Sequence, residues 1–473
     1  MGLSYNTARS SLMWGLMMDT SIDWESPSRW GLPRYNSTKN SQHRSESSAA
    51  FHDYWTPDQP AKIATKNSYD MMPQIIDRVS MRFGARVGMA ITSVMSMALS
   101  GAAAMAASPA AGQMHQTLRV GSNRQFVLPS VAAQFARDGD TIEIDAGTYD
   151  RDVAVWKQNN LTIRGAGGIA HMAAHGAAAQ GKGIWIFRGD NVTVENIELS
   201  GASVADRNGA AIRLEGTGLT VRHSYFHDNE NGILCGGNPR TEVVVENSEF
   251  ERNGHGDGQS HNIYCGRIKS LTMRSNYIHH ARVGHNIKSR AARNLILYNR
   301  IADESDGNAS YAIDLPNGGI SIVLGNIVQK GPLAENRTLI SYGAEGYGQA
   351  DNSLYVVNNT LIDEKPGAGR FIFVRDGATS VSVINNLYAG AGNLLVGAGF
   401  AKGNLAANSG DFRDMKGGDY RLDKRSKAIQ AGVPPGIAAD GYSLTPTHEY
   451  QHNATSRPRA DSRRLDIGAL AAE

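Results

Sequence analysis

The sequence predicts an all-β chain, a single-stranded right-handed parallel β-helix solenoid. Three observations lead there. Short β-branched runs recur at intervals mostly in the twenties. No segment with helix-length periodicity separates them. One phrase, His261-Asn262-Ile263-Tyr264, returns 24 residues later as His285-Asn286-Ile287-Lys288. Repeats of this length are the mark of a stack, in which each turn of chain lies on the one before.

The runs start at Val192, Leu219, Val243, Leu271, Leu295, Ile320, Leu354 and Val381. Each is aliphatic or β-branched, alternates in character and ends near Asn, Ser or Gly, which reads as strand then turn. Asn tolerates left-handed backbone and bonds locally, so it suits these corners. At matching corners of successive coils it can also bond along the stack as a ladder. A βαβ fold needs helices between strands, and a propeller blade needs a longer repeat. Three short strands per coil satisfy the spacing. The one long interval, 34 residues from Ile320 to Leu354, predicts a loop at about 328–353 projecting from the stack.

The first 106 residues do not share this pattern. Residues 1–80 are rich in Ser, Trp, Met and Pro without periodicity and read as a non-native or disordered extension. From Met81, a basic start, an apolar run from Val87 to about Leu99 and an Ala104-Met105-Ala106 end form the three parts of a secretory signal. Residues 81–106 are therefore expected to be cleaved, leaving 107–473 as the solenoid. The run is short for a bilayer span. The expected location is secreted or periplasmic, with no membrane span after cleavage.

Composition narrows the function. The net charge is +2 over 473 residues, and no basic, aromatic-interleaved segment exists, so nucleic acid is not an expected partner. The two cysteines, Cys235 and Cys265, are too few for a stapled scaffold. They fall at equivalent inward positions of adjacent coils, as stacked thiols or, in an oxidising compartment, as a disulfide.

The stretch from Leu118-Arg119-Val120-Gly121 to Gly139-Asp140-Thr141-Ile142-Glu143 and on to Thr148-Tyr149 resembles the N-terminal cap of pectin-lyase-like β-helix proteins. Pro129 to Arg137 reads as its short helix. Tyr420-Arg421-Leu422, Ser426-Lys427-Ala428-Ile429 and Asp466-Ile467-Gly468-Ala469-Leu470 are similar to the closing segment of bacterial members. The resemblance spans about 115–473. It implies the fold but not the substrate, because lyases, hydrolases, epimerases and non-enzymatic adhesins share it.

Aligning the coils on Ile212, Ile233, Ile263, Ile287, Ile313 and Ile340 places the following residue outward. That column reads Arg213, Leu234, Tyr264, Lys288, Asp314, Ser341. At about 4.8 Å per strand, Tyr264, Lys288 and Asp314 would form a ladder about 10 Å long. Arg290 faces the same way, His261 and His285 stack at the strand entrance, and His255 and Asp257 lean over from the preceding turn. An open groove with this lining suits an acidic glycan. Elimination at a uronate needs a cation for the carboxylate, a base for the C5 proton and an acid for the leaving oxygen. Lys288, Arg290, Tyr264, His261 and His285 are the catalytic candidates, with Lys288 a possible base. Arg213, Asp314 and His255 are the substrate-binding ones.

The segment His285-Asn286-Ile287-Lys288-Ser289-Arg290 also resembles the Asn-Lys-Ser motif of the alginate lyase and chondroitinase B family. That family uses the Lys as base, an Arg one coil later, and calcium on the carboxylate. Lys288 and Ser289 match, an isoleucine intervenes, and Asp314 stands where the Arg would be. Calcium is the cofactor this resemblance implies, and Asp257, Asp303, Glu304 and Asp306 are the acids available for a cation. The expected function is an exported lyase on an acidic polysaccharide, acting as a monomer. The alternatives are a non-catalytic glycan-binding or envelope β-helix, a C5-epimerase and a hydrolase. A hydrolase needs paired carboxylates in the groove.

Overall fold

Each coil lays down three short strands, as in Leu219–Arg222, Tyr225–His227 and Asn231–Cys235, and the next coil repeats them directly above. A computed structural model describes residues 115–460 and 464–473. The expected extension 1–80 and signal 81–106 lie outside the described residues. The described residues fall within one unit, Ala103–Glu473. The first and second strands of successive coils join into a sheet of 21 strands, and the third strands form a separate sheet of ten. Both are parallel throughout. The chain is a right-handed parallel β-helix, with almost no helix.

Alternation sets the core. In Glu242–Glu246, Val243 and Val245 are fully buried while Val244 between them is not. The third column is in the register read from sequence: Ile212, Ile233, Ile263, Ile287, Ile313 and Ile340 pair in turn and are all fully buried. Each such side chain contributes about 1.5–3 kcal/mol.

Two asparagine ladders hold the corners. Between first and second strands, Asn276, Asn299, Asn326, Asn359 and Asn386 each pass an amide hydrogen to the next, ending at Asn404, at 2.9–3.0 Å. Each preceding residue has positive φ, for example Ser275 at 56° and Asn385 at 56°. Between second and third strands, Asn229, Asn253, Asn262 and Asn286 form the second ladder at 2.8–2.9 Å. Buried amides must be paired, and stacking identical groups at the coil spacing pairs them.

At the amino-terminal end, Thr117–Val120 pairs with Thr141–Asp150. A seven-residue helix, Pro129–Phe135, lies between them with proline in its first turn and Ala132 and Ala133 buried. Past Ala406 the chain leaves the stack and makes two antiparallel hairpins, Phe412–Asp414 with Asp419–Leu422 and His448–Gln451 with Thr455–Pro458. This closing segment lies along the flank. Asn247 donates to the Ala454 carbonyl, and Ala469 N–H donates to Thr360. Outward residues of the later coils are accordingly apolar: Leu295, Ile322 and Tyr355 pack on Ala438 and Leu444. Among the described residues no helix is long and apolar enough to cross a membrane.

Candidate functional site

The third column brings Tyr264, Lys288 and Asp314 together as register partners on Ile263–Cys265, Ile287–Ser289 and Ile313–Leu315. Arg290 follows the second of these strands and reaches back, its Nε donating to the Tyr264 hydroxyl oxygen at 3.1 Å. Lys288 and Arg290 both lie about 6 Å from the Tyr264 ring centre, at 6.0 and 5.9 Å, within cation–π range. Arg213 and Leu234 continue the column on the earlier coils.

The cations are not free. Lys288 Nζ lies 3.7 Å from Asp314 and 3.5 Å from Glu345, and its side chain is only 16% exposed. Arg290 grips the same Glu345 at 2.7 Å and bonds the Asn317 side chain. Glu345 comes from the loop between Thr338–Tyr342 and Ser353–Val357, the extra length of the long interval. Gly343 and Gly346, at φ 76° and 93°, turn this loop over the column. The Arg290 hydrogen bond holds the Glu345 carboxyl below its ordinary range, so it stays ionised.

His261 and His285 stack with ring centres 4.7 Å apart, and Tyr311 extends the stack at 4.9 Å. Gly284 permits the approach, since a Cβ there would collide with the Ser260 carbonyl oxygen. Both imidazoles accept backbone N–H bonds at Nδ1, His261 from His285 at 3.0 Å and His285 from Tyr311 at 3.3 Å. Burial, then the charges of Lys288 and Arg290, push His261 down to about 3. Burial and His261 push His285 well below the usual range. Both rings are therefore neutral near pH 7 with the proton on Nε2. His285 turns that nitrogen toward Asp314, 3.6 Å away. These histidines are donors and spacers, and a base role, open on sequence alone, does not fit them.

Asp314 is nearly buried, at 4% side-chain exposure. Burial raises its pKa to about 6 against the opposing charge of Lys288. The neighbouring Ser341 hydroxyl favours its ionised form but is outside good hydrogen-bond geometry.

Other sequence candidates fall elsewhere. His255 faces Glu230 at 3.6 Å and Asp257 faces Arg207 at 3.8 Å, and neither bonds to the column. The acids considered for a cation do not converge. Asp303 is buried beside Lys330, Glu304 is held by Arg300 and Tyr277, and Asp306 is held by His280. Cys235 and Cys265 are register partners 4.5 Å apart at Cα and are joined as a disulfide. Arg213 is half-buried, and among the described residues no hydrogen bond or ion pair reaches its guanidinium.

Sequence reasoning missed Tyr311, Asn317 and Glu345. Tyr311 was legible, being two residues before Ile313 as His285 is before Ile287. Glu345 was not, because a loop residue carries no register. A cavity of about 510 Å³ lies on another face, lined by Tyr277, Arg300, Tyr420, Tyr450 and His452. None of the catalytic candidates lines it, and Arg300 is already spent on Glu304 and the Gly418 carbonyl.

Residues 151–326 match a protein family described as right handed beta helix region. Among solved structures, pectate lyase Pel9A is similar with TM-score 0.54 and 14% identity, covering 76% of this chain and 96% of that one. A pectin methylesterase from Aspergillus niger aligns at TM-score 0.28 and 12% identity, over 62% of this chain and 90% of that one. The Dettilon tailspike protein aligns at TM-score 0.30 and 16% identity, over 61% of this chain and 60% of that one. No curated protein sequence matches. The likeness to Pel9A is one of fold.

Proposed function

We propose that this protein binds an acidic, uronate-containing polysaccharide along its ten-stranded sheet and cleaves it by β-elimination. One observation carries the reading: Lys288 and Arg290 already share a carboxylate, that of Glu345. A uronate C6 carboxylate has the same charge and geometry and would take its place when the loop moves. Arg290, with its planar donor fork, suits a bidentate carboxylate, while Lys288 supplies a point charge.

The proposed roles follow from the bonds. Lys288 and Arg290 neutralise the carboxylate and the enolate-like charge that builds on it as the C5 proton leaves. Tyr264 accepts from Arg290, so its own hydroxyl proton is available for the leaving oxygen. His285 presents an N–H. Lys288 is the remaining candidate for the base in its uncharged form: Arg290 then holds the carboxylate, and Lys288 takes up the C5 proton and with it the charge that offsets the enolate, Asp314 lying 3.7 Å away as its counter-charge. The likeness in fold to a pectate lyase agrees with a glycan substrate. The segment 81–106 supports export, and 1–80 lies outside the mature chain on this reading.

A binding-only role is favoured by a different fact, that Lys288 is paired on two sides. Incubation of the mature chain with polygalacturonate, alginate, a glycosaminoglycan and a neutral glucan separates the readings. Ultraviolet-absorbing unsaturated product from a uronate polymer supports the lyase. Retention on a uronate column without product supports binding alone, and no retention on any polymer contradicts both.

A further inference from the structure

On the second strands of the early coils, in the 21-stranded sheet, a second cluster faces outward. His171, Glu198 and Tyr225 are successive register partners, and His227 follows Tyr225 by two residues on the same strand. His171 Nε2 lies 3.5 Å and His227 Nε2 3.0 Å from one oxygen, Glu198 Oε1. Each of the three side chains is about a fifth exposed, and their donor atoms all lie within 4.8 Å of one another.

The bonding of His227 is the anomaly. Its Nδ1 faces Asp228 at 2.8 Å and its Nε2 faces Glu198 at 3.0 Å. A neutral imidazole carries one N–H. A single N–H cannot serve both carboxylates, and a cation between Nε2 and Glu198 would serve the second. A second histidine faces the same carboxylate. His171 also aims Nε2 at Glu198, with the Ser200 hydroxyl 2.7 Å from that nitrogen. Two ring nitrogens and one carboxylate oxygen thus converge on a single point. Glu198 has no lysine or arginine partner among the described residues.

We infer that His171, Glu198 and His227 form a binding site for a divalent transition-metal ion. Donor atoms around such an ion, at bonds of about 2.0–2.1 Å, sit roughly 3.0–3.4 Å apart; here the two nitrogens lie 3.0 and 3.5 Å from Glu198 Oε1, and a small side-chain adjustment closes the set around an ion. Imidazole nitrogen with carboxylate oxygen selects zinc, cobalt or nickel over calcium or magnesium. Asp228 is the outer carboxylate that fixes the tautomer, leaving the Nε2 lone pair for the metal. Tyr225 stacks on His227 with ring centres 4.3 Å apart and locks the ring. Three protein ligands and an exposed side leave a position open to solvent or to a ligand. A neighbouring group, Glu251 with His279 and His280, is less suited, because Arg252 and the Tyr225 hydroxyl already hold Glu251.

The test is titration of the tag-free chain, stripped with chelator, by Co²⁺ followed in the visible spectrum and by Zn²⁺ in a calorimeter. One ion per chain is expected. His171→Gln, Glu198→Gln and His227→Gln should each weaken it more than about tenfold, and Asp228→Asn by about 10- to 100-fold. These side chains are partly exposed, so circular dichroism should show the fold kept. Absence of saturable binding by the unaltered chain would overturn the proposal. So would binding undiminished in His227→Gln.

Discussion

Arg290 holds Glu345 across 55 residues of sequence, its Nη1 lying 2.7 Å from the carboxylate. The bond ties a projecting loop onto the ten-stranded sheet and covers the cationic pair. A substrate carboxylate must displace it. Exposed ion pairs contribute up to about 1 kcal/mol, so Glu345→Gln should tighten uronate binding about three- to fivefold. Isothermal titration with a uronate oligosaccharide reads this directly. Weaker binding by the variant would mean that Glu345 supports the site instead of shielding it.

Asp314 gives the site a pH dependence. Its raised pKa of about 6 means that it becomes neutral as pH falls through that value. Lys288 then loses one of its two counter-charges while Glu345 stays ionised. Affinity for a uronate polymer should rise severalfold as pH drops through about 6, and Asp314→Asn should remove the step. Retention on an immobilised polyuronate, measured from neutral to mildly acidic pH, follows both.

Stability responds to pH through the stacked histidines. His261 has a folded pKa of about 3 against 6.5 for the free group. The unfolded chain binds more protons between those values, so this contribution is complete above 6.5 and is lost as pH falls toward 3. His285 acts in the same direction. Asp314 opposes it, since between 3.8 and about 6 the folded state holds the extra proton. In His261→Gln, the fall in melting temperature between pH 7 and pH 4 should be smaller than in the parent. An equal fall would show that acid destabilisation arises elsewhere.

Asn326 stands in the middle of the corner ladder, fully buried and bonded to both neighbours. Asn326→Ala leaves buried amide groups of Asn299 and Asn359 short of a partner, which costs about 1–3 kcal/mol each way. Denaturant unfolding should show a loss of about 2 kcal/mol or more. A loss within about 0.5 kcal/mol would mean that the ladder is not cooperative.

The fold was legible because a solenoid repeats one physical problem. Isoleucine down the third column and asparagine at recurring corners report the coil length directly, and the resulting register of that column is the observed one. The doubled His-Asn-Ile phrase has a structural explanation in every position: the histidines stack, Asn262 and Asn286 are ladder members, and the isoleucines are core. The departure from repetition, Tyr264 against Lys288, marks the outward column. What remained hidden lies outside the repeat. Glu345 reaches the column from a loop, and the neutral state of His261 and His285 depends on backbone bonds that no spacing reveals. The cluster at Glu198 had a faint signal, the recurring Tyr225-Phe226-His227 and Tyr277-Ile278-His279, but its histidines come from strands two coils apart.

The central claim is that Lys288 and Arg290 receive and activate a uronate carboxylate. The most direct measurement is the rate of unsaturated-product formation from the best uronate polymer, compared between the parent chain and Lys288→Ala and Arg290→Ala variants of unchanged circular dichroism. The account predicts a loss of about 100-fold or more in each. A variant at Lys288 that turns over at the parent rate would contradict it.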